Sequence, residues 1–218
     1  MPTTTIDREA WPAAAVGALP SVLALLTGRR RAAAVLGLLP VGIVAFFRDP
    51  DRVVDSLEAD DDVVLAPADG KVMHAGPGQP GVAPDGDWQQ VSIFLSVFDV
   101  HINRAPYGGR VTDVQYRPGK WLAAYKFESA FENERSDITV ERDVDGTTRT
   151  IHFRQIVGLV ARRVVTRIEP GDEIRTGERI GLMKFGSRMD IFVPADVELN
   201  VAQGDRTVAG ETVLGRWR

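Results

Sequence analysis

Four short stretches of this chain gather the side chains that acid–base or nucleophilic chemistry needs. The densest is Phe98-Asp99-Val100-His101-Ile102-Asn103-Arg104-Ala105-Pro106, which follows an apolar run and brings together a carboxylate, an imidazole, an amide and a guanidinium. Site residues concentrate on such loops, and an imidazole titrates near neutral pH, so His101 is a candidate proton donor and base. A second stretch, Ala66-Pro67-Ala68-Asp69-Gly70-Lys71-Val72, supplies the Asp69 carboxylate, although an isolated Asp-Gly pair also reads as a hairpin turn. The third, Glu132-Asn133-Glu134-Arg135-Ser136-Asp137, reads on its own as a solvated charge run. The fourth, 181–191, contains Gly186-Ser187, a hydroxyl beside the most permissive backbone residue. Gly-Ser by itself is common turn material.

Composition removes several other chemistries. With no cysteine, the chain has no disulfide, thiolate zinc site or cysteine nucleophile. Its only histidines, His74, His101 and His152, are not spaced as a metal-ligand pair, so no metal is expected. A formal net charge of -4 argues against nucleic acid, whose binders carry a basic face. At 218 residues, 44% of them hydrophobic, the chain can bury one sizeable core and carry an additional segment.

The elements that would position these residues fall into two regions. Residues 11–27 and 32–47 are apolar runs, interrupted by Pro20 and Pro40 and separated by Gly28-Arg29-Arg30-Arg31. At about 1.5 Å per residue, each run falls short of the ~30 Å of a bilayer core. Two short spans, a shallow hairpin in one leaflet and a pair packed on the protein's own core all fit. The shallow hairpin keeps both 29–31 and the pair Arg48, Arg52 at headgroup level. Asp7, Arg8 and Glu9 argue against a signal peptide. The expected division is a membrane-associating helical segment over 1–50 and a second, polar domain over 51–218 that would carry the four stretches. In the second region, turn pairs such as Asp69-Gly70, Asp145-Gly146 and Pro170-Gly171 bracket β-branched stretches at 90–95, 110–116, 147–153 and 160–168. Short strands between tight turns predict a mostly-β sandwich or barrel, with 122–133 as the best helical candidate.

Taken in order, the four stretches resemble the phosphatidylserine decarboxylase family, in particular its short members, which include archaeal forms acting on archaetidylserine. The likeness covers nearly the whole chain. It runs from a hydrophobic head closing in Phe46-Phe47-Arg48-Asp49-Pro50, through the Pro-Ala-Asp-Gly turn and the histidine box, to the Asn-Glu-Arg segment and Phe185-Gly186-Ser187. It implies a catalytic domain resembling a barrel-sandwich hybrid, made as an inactive proenzyme. Ser187 Oγ would attack the Gly186 carbonyl, and glycine suits the strained geometry of that N-to-O acyl shift. Elimination, tautomerisation and hydrolysis with loss of ammonia would leave a pyruvoyl group on residue 187. The products would be chains 1–186 and 187–218, which stay associated. The pyruvoyl group would be the cofactor, with no metal and no free cofactor. It would condense with the serine amine of a phospholipid as a Schiff base and act as the electron sink for decarboxylation to the ethanolamine lipid. The resemblance implies a carboxy-lyase at the cell membrane, peripheral or hairpin-anchored, with its catalytic domain cytoplasmic. It leaves self-association open, and it cannot choose between a diacylglycerol and an archaeol backbone.

The resemblance also carries site roles. His101 would return a proton to the substrate carbon, and Asp69 would assist processing. Longer members carry a second histidine where this chain has Arg104, which stays protonated and is a poor base. Either His101 serves both steps or Asp69 acts without a full triad. Arg104, Arg135 and Lys120 are candidate anchors for the lipid phosphodiester, because arginine grips phosphate oxygens with two donors. Lys184 is a further candidate for binding anionic substrate. Two other classes compete with this reading. In one, 168–177 followed by Met183-Lys184 resembles a biotinyl or lipoyl carrier hairpin. The other is a non-enzymatic, membrane-anchored β domain.

Overall fold

The apolar head folds as helices closed off by two short strands. In the computed structural model, residues 3–52, 60–159, 163–184 and 186–218 are described, so Phe185 and residues 160–162 of the expected strand 160–168 lie outside the described residues. The chain divides into two compact units, Met1–Asp51 and Arg52–Arg218. In the first, β1 (Thr4–Ile6) precedes α1 (Ala10–Leu26), α2 (Arg30–Leu36) and α3 (Leu38–Phe46), and β2 (Arg48–Pro50) returns to pair antiparallel with β1. The second apolar run breaks at Gly37 and not at Pro40. Pro40 lies in the first turn of α3, where the missing N–H has no intrahelical partner to lose. Pro20 stays inside α1 at the cost of one hydrogen bond. Small residues meet where the helices touch. Ala10, Gly17, Ala24 and Ala33 are buried, and Ser21 Oγ donates to the Ala33 carbonyl at 2.8 Å. A Cβ at Gly17 would lie 2.5 Å from Ile43 Cδ1, so α3 packs where α1 has no side chain. The large side chains point away: Leu19, Leu23 and Leu26 are 62%, 63% and 80% exposed. Among the described residues, no helix is long and apolar enough to cross a membrane.

The second unit is almost entirely strand, which bears out the mostly-β class. Its early strands are β3 (Val63–Leu65), β4 (Gly70–Pro77), β5 (Trp88–Leu95), β6 (Ile102–Arg104) and β7 (Gly109–Arg117). After a short helix α4 (Ser129–Glu132) come β8 (Arg135–Val144), β9 (Thr147–Val157), β10 (Val164–Thr166), β11 (Glu173–Ile174) and β12 (Arg179–Met183). The chain ends through β13 (Ser187–Pro194), β14 (Val197–Leu199), β15 (Arg206–Thr207) and β16 (Val213–Trp217). Eight strands form one antiparallel sheet in the order β11-β7-β8-β9-β13-β5-β4-β15. Two smaller sheets, β10-β12-β6 and β14-β16-β3, complete the unit. One face of the large sheet supplies Ile93, Ile138, Ile151, Phe153, Met189 and Ile191 to a core shared with Ile180 and Met183 of β12 and Leu214 and Trp217 of β16. The period-two alternation of strands puts these residues on one side.

Three local expectations change. Only Ser129–Glu132 of the predicted helix 122–133 is helical. Ser129 Oγ donates to the carbonyls of Ala124 (3.0 Å) and Lys126 (2.6 Å), and the Asn133 amide bonds both the N–H and the carbonyl of Leu122. Such side-chain bonds close the segment as a loop in place of the helical ladder. Asp69-Gly70 is not a hairpin turn, because β3 pairs with β16 while β4 pairs with β5 and β15. Nor does Lys184 sit at the tip of a carrier-like hairpin: the strands on either side of it do not pair, β12 joining β6 and β10 while β13 joins β5 and β9.

On the other face of the large sheet, Arg188 Nε donates to Asp190 Oδ1 at 2.7 Å, with both side chains 4% exposed or less. Arg188 Nη2 also reaches Ser92 Oγ at 3.2 Å. Removing one partner leaves a buried charge uncompensated, so Asp190→Ala is expected to cost roughly 3–5 kcal/mol of stability. Urea unfolding followed by tryptophan fluorescence checks this.

Candidate active site

The candidate nucleophile sits where three central strands end. Ser187 is the first residue of β13, opposite Leu95 at the end of β5 and Val157 at the end of β9. Strand alternation puts it on the same face as Met189 and Ile191, and it is fully buried. Among the described residues its Oγ has no hydrogen-bond partner. An unpaired buried hydroxyl costs about 1–3 kcal/mol and calls for a functional account. Gly186 precedes it at φ +65, a left-handed conformation that glycine adopts without a Cβ penalty.

His101 approaches Gly186 from the β5–β6 connection. Its Nδ1 lies 2.9 Å from the Asp99 carbonyl oxygen, and its Nε2 receives the Gly186 N–H at 3.1 Å. A carbonyl can only accept, so Nδ1 carries the hydrogen and Nε2 keeps its lone pair toward residue 186. Asp99 holds this turn with both carboxylate oxygens. Oδ2 accepts from Ser96 N–H (2.8 Å) and Ser96 Oγ (2.7 Å), and Oδ1 accepts from Arg206 Nη2 (2.6 Å). The His101 carbonyl accepts from Met183 N–H at 3.3 Å, fixing the backbone as well. The other two histidines lie elsewhere. His74 meets the Pro77 carbonyl on β4, and His152 packs edge-on to Trp88, where burial pulls its pKa below the ordinary 6.5.

The remaining motif residues are held by ion pairs and hydrogen bonds to neighbouring segments. Both Asp69 oxygens are gripped by Arg52, the Nη2–Oδ2 bond being 2.8 Å, and Ala209 N–H donates to Oδ1 at 2.9 Å. The preceding Pro67 carbonyl accepts the Arg104 N–H at 2.9 Å, tying the Pro-Ala-Asp-Gly turn to β6. Arg104 itself is 4% exposed and donates to the Gly177 carbonyl. Asn103 on β6 accepts from Gln155 Nε2 (2.8 Å), and Gln155 in turn accepts from Thr166 Oγ1 (2.9 Å), a polar tie between the large sheet and β6-β12-β10. Among the described residues, Asn103 Nδ2 has no partner.

The segment 132–137 is not a solvated charge run. Asn133 and Ser136 are at most 1% exposed and Glu134 is buried. Asn133 Nδ2 donates to the carbonyls of Val157 and Leu122, each at 2.8 Å, while Val157 N–H donates to the Glu134 carbonyl. Arg135 donates to the Phe131 carbonyl and lies 3.4 Å from Asp137, and burial pulls its pKa down against the pull of Asp137. Lys120 pairs with Glu132 at 2.6 Å, and Lys184 is half-buried directly after β12. Exposed apolar side chains gather near this end of the unit: Phe98 ahead of His101, Leu159 beyond Val157, and Trp121, Tyr125 and Phe127 in the loop that Asn133 closes. Tyr125 meets Phe94, the register partner of Arg188, edge to face.

Reading the sequence missed Arg52 and Gln155 as parts of this arrangement. Only Gln155 left a trace, as a polar residue at an inward position beside Ile156 and Val157. Among the described residues, no group of three or more His, Asp or Glu side chains is placed to hold a metal ion.

Residues 42–215 match a family model described as phosphatidylserine decarboxylase. The chain is 43% identical over 211 residues to a phosphatidylserine decarboxylase proenzyme of Geotalea daltonii, covering 96% of this chain and 95% of that one. It is 42% identical over 215 residues to the corresponding proenzyme of Geotalea uraniireducens, covering 97% and 96%. A third, from Magnetococcus marinus, is 43% identical over 182 residues, covering 84% and 81%.

Proposed function

This chain belongs to the phosphatidylserine decarboxylase family, and from that premise we propose that it is a precursor that cuts itself between Gly186 and Ser187 and then decarboxylates a serine-headed phospholipid. One observation carries the reading. A buried, unpartnered Ser187 hydroxyl follows a left-handed glycine whose N–H is held by a histidine lone pair. The residues present fit a pyruvoyl group made from Ser187, because the fold brings a nucleophilic hydroxyl, a left-handed glycine as acyl donor and a histidine base to one strand end.

In the processing step, His101 exchanges the Gly186 N–H for the Ser187 hydroxyl at Nε2 and takes its proton as Oγ attacks the Gly186 carbonyl carbon. The Gly186–Ser187 C–N bond breaks, and the same proton passes from Nε2 to the departing nitrogen. The Asp99 carbonyl, receiving Nδ1–H, steadies the charged ring between these transfers. Asp69 contributes by locking 52, 69 and 209 together, which seats β6 through Pro67 and Arg104. In the mature protein, the pyruvoyl carbonyl supplies the electron sink for loss of carbon dioxide. His101 Nε2, protonated, returns a proton to the substrate carbon. Arg104, Arg135 and Lys120 are already committed to Gly177, Asp137 and Glu132, so their binding of phosphate would require these contacts to open.

The substrate is met at a membrane surface. In the first unit the small residues face inward and the leucines outward, the reverse of a water-soluble bundle, and so large an apolar surface marks an interaction site. Trp121 and Tyr125 carry the ring types that settle at headgroup level, and the exposed Phe127 lies beside them in the same loop. The protein is expected to release carbon dioxide from phosphatidylserine in vesicles and leave the ethanolamine lipid, and to sediment with those vesicles. Leu19→Glu/Leu26→Glu should lower vesicle binding severalfold without altering the cut. If no serine-headed lipid, diacyl or archaeol, loses carbon dioxide, the reading fails.

A further inference from the structure

Gly158 is the first residue beyond β9, and its backbone lies outside the left-handed region, so an ordinary residue could adopt its conformation. What forbids a side chain is its neighbour. A Cβ built at Gly158 would stand 2.1 Å from the Gly186 carbonyl oxygen and 3.1 Å from its carbonyl carbon, with Ala124 Cβ at 3.2 Å. The carbonyl crowded against residue 158 is the one that Ser187 must attack on the cleavage reading above. On that reading, we infer that Gly158 is a positioning residue for self-cleavage, a slot that seats the scissile carbonyl.

Residue 186 is then held from two sides. His101 Nε2 holds the N–H of Gly186, and the bare α-carbon of Gly158 receives the carbonyl that follows. Fixing both ends of residue 186 sets which face of its carbonyl carbon meets the hydroxyl, the orientation on which an intramolecular attack depends. A methyl group at 158 would have to rotate that carbonyl away. The slot is itself clamped. Val157, one residue earlier, gives its carbonyl to Asn133 Nδ2 at 2.8 Å and its N–H to the Glu134 carbonyl at 3.1 Å. Glu134 Oε1 accepts the Val164 N–H on the far side of the segment at 3.2 Å. By bonding both backbone groups of Leu122, Asn133 also carries the loop that places Ala124 against Gly158. The buried Asn133-Glu134 pair thus has a task, holding the floor beneath the bond to be cut.

The test follows conversion of the full chain into 1–186 and 187–218 by intact mass, in the absence of lipid. Gly158→Ala should fold, by circular dichroism and thermal unfolding, yet convert slower by on the order of a hundredfold or more, the penalty of misaligning a near-attack geometry. Ala124→Gly/Gly158→Ala, which removes the alanine contact and keeps the clash with the carbonyl, should stay equally slow. Hydroxylamine cleaves esters, and it should release no 1–186 fragment from Gly158→Ala if the acyl shift is what fails. Conversion at the unaltered rate, rescue by Ala124→Gly, or accumulation of a hydroxylamine-sensitive ester would each overturn the inference. Should Gly158→Ala not fold, Asn133→Asp, which keeps shape but loses both Nδ2 donations, should slow conversion at least tenfold; unaltered conversion there would overturn it equally. An unaltered chain that never converts would instead remove the cleavage reading itself, a distinct result.

Discussion

Ser187→Ala is expected to remain a single 218-residue species and to release no carbon dioxide from phosphatidylserine, while the unaltered chain resolves into 1–186 and 187–218. The small fragment should carry a blocked amino terminus. The substitution separates chemistry from stability, because the hydroxyl it removes is fully buried and unpaired. Replacing an unsatisfied polar atom by nothing is neutral or stabilising, so the variant should unfold no earlier than the parent in urea. A Ser187→Ala chain that was still cut at 186/187 would sink the mechanism. A variant that was uncut only because it had unfolded would contradict the burial argument, and the denaturation curve distinguishes the two.

His101→Gln should produce the next largest effect. Glutamine can donate to the Asp99 carbonyl and accept from the Gly186 N–H, so the local geometry survives while the proton shuttle is lost. General acid–base groups contribute about 10²–10⁴-fold, and a loss in that range is expected for both steps when each is measured separately. Processing is followed by mass on the precursor, and decarboxylation is normalised to the fraction of chains that carry a blocked end. Normal cutting with lost decarboxylation would confine His101 to returning the substrate proton. Normal rates in both would remove it from the chemistry.

The strands were readable because turn pairs and β-branched runs are local signals: 90–95 became Trp88–Leu95 and 110–116 became Gly109–Arg117. The helix expected at 122–133 was not, since it loses to Asn133, whose amide is drawn inward by Val157, a residue on a distant strand. The same tertiary contact buries what composition alone assigns to solvent. Arg52 looked like part of a basic cluster following an apolar run, and its pairing with Asp69 depends on a turn formed well downstream. Gly158 gave no sign at all. Nothing in its neighbours indicates that the chain will bring residue 186 against it, whereas the motif containing Gly186-Ser187 gained its meaning from resemblance. Ser187's unsatisfied hydroxyl is a property of the fold alone.

The place of β13 in the large sheet bears on what the mature protein is. On the proposed cut, its first residue becomes a chain terminus, yet the strand stays hydrogen-bonded between β5 and β9, β15 stays on β4, and β16 stays on β3. The two products are therefore wound through one another's sheets and share a single core, so neither piece can leave without dissolving the other. Synthesis as one chain lets a unimolecular search find an arrangement that two separate polypeptides would have to rebuild by collision. Recovery of the mature enzyme from denaturant should thus depend on its concentration, whereas the uncut precursor should refold at a rate independent of dilution. Maturation acts as a ratchet, turning a reversible folding equilibrium into a one-way commitment.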